Sequence, residues 1–232
     1  MNRPATVPLL HLLHLEGRAG DLLCAGAEAP AVVFQHPSAP AVVLGSTQPG
    51  SDVDRRQASV QGVDVVRRRS GGGAVMVGEG RALWVDVAIG RDDPRWLDDV
   101  GRAAWWVGEA WAAALDRIGV PGAEVWRGAP SRPAGRRVAE RICFAGIGPG
   151  EVSIGGRKVV GISQRRGRGG ALFQCAALLD ADPAELVQLL CLPAAERSAA
   201  ARALAATTTG LGSHLAPALV EAVASLLCRS PS

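Results

Sequence analysis

Three stretches of this chain carry residue types that can do chemistry. The first is VVRRRSGGGAV, Val65 to Val75, where three arginines, a serine and three consecutive glycines interrupt an apolar run. Glycines let a backbone approach a ligand closely and aim N–H groups at it, while arginines supply fixed positive charge, so the pair suits a phosphate, a carboxylate or an adenylate. The same residues also fit a glycine-rich turn with a solvated arginine face. The segment is neither GxxxxGKS nor a GxGxxG opening a helix, which sets the standard nucleotide loops aside. The second stretch is GGRKVVGISQRR, Gly155 to Arg166. Lys158 shares side-chain parity with Val160 and Ile162, which lays its stem along an apolar face with the ammonium at the rim. Gly161, Ser163 and Gln164 follow closely, and RRGRGG comes next; a lysine that merely solvates a turn is the plain alternative. The third is Cys143 in RICFAGIGPGEVSI, between a basic segment and a glycine-proline loop. A free cysteine is ordinarily a small buried hydrophobe, but beside Arg or Lys a thiol of reference pKa ~8.5 gains thiolate character.

Other chemistry is harder to find. His11, His14, His36 and His214 are scattered, and no Ser/His/Asp or metal constellation is legible. Cys24, Cys143, Cys175, Cys191 and Cys228 are odd in number, widely spaced and never CxxC, so neither a zinc site nor a disulfide framework is expected, and a reducing cytoplasm is. A net charge of +3 is too weak to argue for nucleic acid, and no aromatic residue interleaves with RRGRGG or GRRVAER. The apolar patch VPLLHLLHL contains two histidines and lacks a cationic leader or a cleavage pattern. No stretch approaches the ~20 apolar residues of a membrane helix, so a soluble protein is expected.

The elements that must position these residues follow from periodicity. Ala31 to Phe34, Ala41 to Leu44 and Val63 to Val66 read as strands, the last leading into the arginine-glycine segment. In ALWVDVAIG, Leu83, Val85, Val87 and Ile89 alternate with Trp84, Asp86 and Ala88, the pattern of a half-buried strand entered by a turn at Gly78 to Arg81. From about Trp96, Val100, Ala104, Val107, Trp111, Leu115 and Ile118 recur at spacings of three and four, predicting one long amphipathic helix closed by Gly119. Gly128 to Gly135 reads as a loop. EVSIGGRKVVGISQ reads as a hairpin turning at Gly155-Gly156, and Ala171 to Leu179 as another strand. The tail from Pro183 predicts two or three short helices, the last from about Pro217 to Cys228. Strands dominate the middle and helices the tail without strict βαβ alternation, which favours an α+β fold with a mixed or antiparallel sheet.

RRRSGGGAV, GGRKVVGISQRR and GALFQCAALL (Gly170 to Leu179), taken together and in that order, resemble the biotin/lipoate A/B protein ligase family over roughly Ala41 to Leu190. The resemblance implies a mixed, largely antiparallel sheet flanked by helices, akin to class II aminoacyl-tRNA synthetase cores. It implies one catalytic domain over residues 1–232, with a core of about 30–190 and a helical tail of 183–232, and no separate accessory domain. Such enzymes attach lipoyl, octanoyl or biotinyl groups to one lysine of a small carrier domain. The implied partners are the lipoyl domain of a 2-oxoacid dehydrogenase or glycine cleavage protein, or an acyl carrier donor. By motif, Arg68, Ser70, Gly71, Gly72 and Gly73 would line the acyl or acyl-adenylate pocket, with Gly161, Ser163 and Gln164 beside it. Lys158 matches the lysine that contacts the activated carboxyl group, and Arg165, Arg166 and Arg168 would meet an acidic carrier. The family's usual histidine near GALFQ is replaced by Gln174 or Cys175.

Two mechanisms divide the family. Cys143-Phe144 ahead of Lys158, with Glu151 between them, looks like the cysteine-using transferases, and the chain lacks the RND-type segment common in the ligases. The preferred reading is acyl transfer through a Cys143 thioester with no tightly bound cofactor, Lys158 assisting deprotonation; its reference pKa of ~10.4 must then be lowered. An ATP- and Mg-dependent ligase acting through lipoyl-AMP is the alternative, and a non-catalytic acyl, adenylate or RNA binder is a third. The distance between Cys143 and Lys158 discriminates among them.

Overall fold

The computed structural model describes residues 8–133, 136–180 and 182–228. In chain order it comprises β1 (His11–Gly17), α1 (Ala19–Ala25), β2 (Ala31–Pro37), β3 (Ala41–Leu44), α2 (Arg55–Val60), β4 (Asp64–Arg67), β5 (Val75–Val77) and β6 (Ala82–Gly90). There follow α3 (Trp105–Arg117), β7 (Ala123–Val125), α4 (Arg136–Arg141), β8 (Val152–Ile154), β9 (Arg157–Arg166) and β10 (Gly170–Leu178). The chain closes with α5 (Pro183–Leu189), α6 (Ala194–Thr207) and α7 (Ala216–Leu227). Ten strands form a seven-stranded sheet, β1-β2-β6-β10-β9-β8-β7, and a three-stranded sheet, β4-β3-β5. Among the strands of the described residues, β1/β2 and β3/β4 pair in parallel and the other pairs are antiparallel, so the fold is α+β with a mixed, largely antiparallel sheet.

Two apolar clusters flank β6. One packs Val85, Val87, Phe34 and Phe173 against Trp111 and Leu115 of α3 and Leu219 and Val223 of α7. The other joins Trp84 to Val42, Val43 and Leu44, to Ile142 and Phe144, and to Leu189 and Leu204 of the tail helices. Adjacent residues of β6 therefore enter different clusters. Alternation in ALWVDVAIG marks two faces, as expected, but both are buried from Ala82 to Ile89 rather than one. The three-stranded sheet and the tail cover the second face, and Asp86 is sealed within it at 0% exposure.

The expected hairpin forms. β8 and β9 turn at Gly155 and Gly156 with φ of 56° and 76°, the left-handed conformation that glycine adopts without strain. α2 is capped by Asp54, which accepts from Gln57 N at 2.9 Å. The long helix, however, begins at Trp105 and not near Trp96. Asp93 binds Arg95 through its side chain and Asp99 Oδ1 accepts from Gly101 N at 2.9 Å, local bonds that compete with helical backbone pairing. β1, β5 and β7 carry too few residues or too weak an alternation to be read from sequence. The expected loop at 128–135 has no strand or helix through 133, and its last two positions lie outside the described residues. No helix among the described residues is long and apolar enough to cross a membrane.

Candidate active site

The glycine segment leaves β4 and crosses to β5, and its shape is held by its own arginines. Arg67 Nη1 donates to Gly45 O and Gln48 O, both at 2.6 Å, and Arg69 Nη1 to Ala25 O at 2.7 Å. Arg68 is 2% exposed. Its guanidinium donates to Val43 O at 3.2 Å, Gly71 O at 2.6 Å and Gly73 O at 3.0 Å. A glycine-rich turn exposes carbonyls that no ladder pairs; Arg68 satisfies those of Gly71 and Gly73, while Arg67 and Arg69 tie the segment to carbonyls outside it. Their charge thus supports the loop from within, although Arg68 still borders the cleft. Burial lowers the pKa of Arg68, against the opposing pull of Cys143 and Glu151.

Ser70 is buried behind the loop rather than facing a ligand. Its amide and hydroxyl donate to Gln174 Oε1 at 3.0 and 2.8 Å, and its Oγ lies 2.6 Å from Ser163 Oγ. Gln174 Nε2 in turn donates to Asp86 Oδ1 at 3.3 Å. Of the two residues that could stand where the family has histidine, Gln174 faces the glycine segment, while Cys175 lies in the opposite apolar cluster with its thiol pKa pushed far up by burial.

Cys143 reaches the same place by a different route. The chain after α4 forms a parallel bridge between Ile142 and Ala74. Cys143 N donates to Ala74 O at 2.9 Å, which pins the cysteine beside the glycines. Gly73 permits this approach, since a Cβ there would stand 2.5 Å from Ile142 N. The bordering cleft, about 250 Å³ in volume, is lined by Gly71, Gly72 and Gly73, by Ser131 and Arg132, and by Gly146 to Gly148. Cys143, Glu151, Lys158, Ile162, Ser163 and Gln164 also line it. Among the described residues, the amides of the three glycines donate to no protein acceptor, and such donors suit a developing oxyanion.

Lys158 is 3% exposed, buried where the sequence pattern put its ammonium at the rim. Nζ lies 3.8 Å from Cys143 Sγ and donates to Cys143 O at 2.8 Å and Gly146 O at 3.2 Å. It pairs with Glu151 Oε1 at 2.7 Å and stands 4.9 Å from the Phe144 ring centre. These partners replace water, which lets a charged lysine stay inside. Burial by itself would lower the Lys158 pKa, but the negative charges at Cys143 and Glu151 outweigh it, and the pKa is raised. The lowering expected of a general base does not occur, because the anionic neighbours outweigh both burial and the cationic Arg68. Gly161 lies alongside: a Cβ there would meet Lys158 Cε at 3.2 Å and Cys143 Sγ at 3.3 Å.

Of the three arginines expected to meet a carrier, Arg165 and Arg168 are exposed. Arg166 is tied down: it donates to Leu97 O at 2.5 Å and Asp98 O at 3.1 Å and stacks over Trp96 at 4.0 Å. The sequence reading drew Glu151 only from the resemblance and overlooked the tail. Thr209 N donates to Lys158 O at 3.1 Å and Thr207 Oγ1 to Phe144 O at 3.1 Å, so the end of α6 and the segment after it brace Lys158 and the residue next to Cys143. A carboxylate opening the short β8 strand and a threonine run ending an alanine-rich helix were the available signals. No group of three or more His, Cys, Asp or Glu side chains among the described residues is arranged to hold a metal.

The fold has known counterparts. The chain superposes on an archaeal bipartite lipoate protein ligase from Thermoplasma acidophilum, studied with its E2 lipoyl domain, with a TM-score of 0.70 and 19% identity over 97% of this chain and 87% of that one. It matches a lipoate-protein ligase A bound with ATP at a TM-score of 0.61 and 20% identity, over 96% and 88% of the two chains. These likenesses establish the biotin/lipoate ligase catalytic-domain fold. In sequence, the chain is 29% identical to the octanoyltransferase LipM of Kyrpidia tusciae over 62% of its length and 52% of the relative's. It is also 29% identical to that of Moorella thermoacetica over 66% and 55%, so the matches span about half the length of these curated relatives. The family model for the lipoyl protein ligase A/B catalytic domain matches residues 21–230, and the chain belongs to that family.

Proposed function

We propose that this protein transfers an octanoyl group from a thioester donor, through Cys143, to a lysine of a lipoyl carrier domain. The observation that carries the reading is the 3.8 Å approach of Lys158 Nζ to Cys143 Sγ beside the glycine-lined cleft. The relatives named octanoyltransferase support the acyl group, and the archaeal ligase studied with its E2 lipoyl domain supports the class of acceptor.

The chemistry proceeds in two balanced steps. The Cys143 thiolate attacks the donor carbonyl, the donor thiolate leaves and takes up the proton that Cys143 released, and octanoyl-Cys143 forms. The acceptor amine then attacks that thioester, giving an amide and returning Cys143 as a thiol. Lys158 contributes as a fixed positive charge facing sulfur and oxyanion, not as a base, in keeping with its raised pKa. The donor thioester already carries the activation, so this route consumes no ATP. Arg165 and Arg168, exposed at the β9–β10 end, would face an acidic acceptor.

Incubation with an octanoyl thioester and no acceptor should add one octanoyl mass that hydroxylamine removes. Cys143→Ser should lose transfer by on the order of 10³-fold or more, because a hydroxyl is far less ionised than a thiol. Full transfer by Cys143→Ser from the thioester would sink the reading. Lipoylation by that variant with lipoate, ATP and Mg would establish the ligase route instead.

A further inference from the structure

The Lys158 ammonium has three N–H donors, and three oxygens take them: Glu151 Oε1 at 2.7 Å, Cys143 O at 2.8 Å and Gly146 O at 3.2 Å. A neutral amine could not serve this set, for it has two N–H bonds and a lone pair that would face an oxygen. Two of the acceptors belong to the turn that carries Sγ, so the ammonium closes that turn and sits beside the sulfur in one geometry. Glu151 is itself locked on both sides. Its Oε2 accepts from Gly148 N at 2.7 Å and its Oε1 from Ile162 N at 3.1 Å, which ties the carboxylate to the loop before β8 and to β9 at once.

We infer that Glu151 is a positioning residue for the transfer proposed above, holding Lys158 as a fixed ammonium at the sulfur; the inference rests on that reading. Charge counting supports it. With Sγ as thiolate, Glu151 and the sulfur balance Lys158 and Arg68, and that balance persists as the negative charge moves from sulfur to the carbonyl oxygen in the tetrahedral intermediate. Once the donor thiolate departs, the acylated sulfur is neutral and the set carries one uncompensated positive charge. The oxyanion of the second step restores the balance. Without Glu151 the ammonium would lose its shortest partner and its anchor to β9, and a misplaced charge stabilises neither anion well.

The test uses the full chain, octanoyl-N-acetylcysteamine as donor, and intact mass at timed quenches to follow acylation of Cys143. In Glu151→Ala the limiting rate should fall about 10- to 100-fold, the effect of losing a hydrogen bond to a charged group. The half-saturating donor concentration should change less than about threefold, and added formate should restore part of the rate. If Glu151→Ala does not fold, as judged by circular dichroism, Glu151→Gln decides by the same rate and concentration criteria. Limiting rates within about twofold of the parent would overturn the inference. So would a loss that formate leaves untouched and that follows a lowered unfolding midpoint, since that assigns Glu151 to folding alone. A parent protein that never acquires the octanoyl mass defeats the transfer reading and this inference together, whereas a parent that acquires it beside equally active Glu151 variants defeats only the inference.

Discussion

Gly161 is the residue on which the cysteine and lysine depend for room. Its missing side chain leaves the space in which Lys158 Cε and Cys143 Sγ pack, and a methyl group would stand 3.2 to 3.3 Å from both. Contacts that tight push the neighbours aside by a few tenths of an ångström, and overpacking of this kind costs about 1–3 kcal/mol. Gly161→Ala should therefore remain folded while its rate of Cys143 acylation falls about 10- to 100-fold, because misplacement on this scale separates reacting groups. Circular dichroism and timed mass spectra on the same sample measure both; parent-like acylation in the folded variant would refute the packing argument. The glycine loop follows a related logic. Gly72 has φ of 101°, and a Cβ there would stand 2.8 Å from Arg68 Nη2, so a side chain at this position disturbs the arginine that organises the loop before it ever meets a ligand.

At the scale of elements, β6 and β10 carry a polar line through an otherwise apolar sheet. Asp86 accepts from Trp84 Nε1 and Gln35 Nε2, both at 2.8 Å, and through Gln174 it reaches Ser70 in the glycine segment. Burial raises the Asp86 pKa to about 6, against these hydrogen bonds, which pull it down. The sign of the consequence follows from linkage. Between pH ~4 and ~6 the folded protein binds more protons than the unfolded chain, so stability falls as pH rises through that window and the full penalty is present above it. A shift from 3.8 to about 6 corresponds to ~3 kcal/mol. Gln35 Oε1 has no hydrogen-bond partner among the described residues, and a protonated Asp86 could donate to it after an amide flip. Asp86→Asn can make the same bond at every pH. Across pH 4–6 the variant's stability should therefore rise relative to the parent's, as read from urea midpoints; parallel pH profiles would contradict the assignment.

For the whole molecule, the tail belongs to the core and to the site. α7 buries Leu219, Val223 and Leu227 against the sheet and α3. Three such side chains stabilise by about 1.5–3 kcal/mol each, which in sum rivals the ~5–15 kcal/mol of a typical domain. The segment ahead of α7 donates to Lys158 O, so losing the tail would also free one side of the lysine strand. A chain ending after residue 193 should lack a cooperative thermal transition. A melt within a few degrees of the full chain's would refute this.

Periodicity and motif spacing were enough to determine the central strands, the β8–β9 hairpin and the fold class. Those features are local or repetitive, and alternation or a Gly-Gly turn declares them within a few positions. Cys143 and Lys158 stood out by residue type and by the family resemblance, but the distance between them was left open. Tertiary structure decided what those residues do in the cleft. Only folding brings Glu151 to the ammonium and the negative charges that raise its pKa, turns Arg68 onto the carbonyls of its own loop and Arg67 and Arg69 onto carbonyls outside it, and sets Gln174 rather than Cys175 toward Ser70. The start of α3 was likewise settled by aspartate side chains competing for backbone amides. Charge and solvation depend on every group within a few ångströms, wherever it lies along the chain, and a linear sequence does not state those distances.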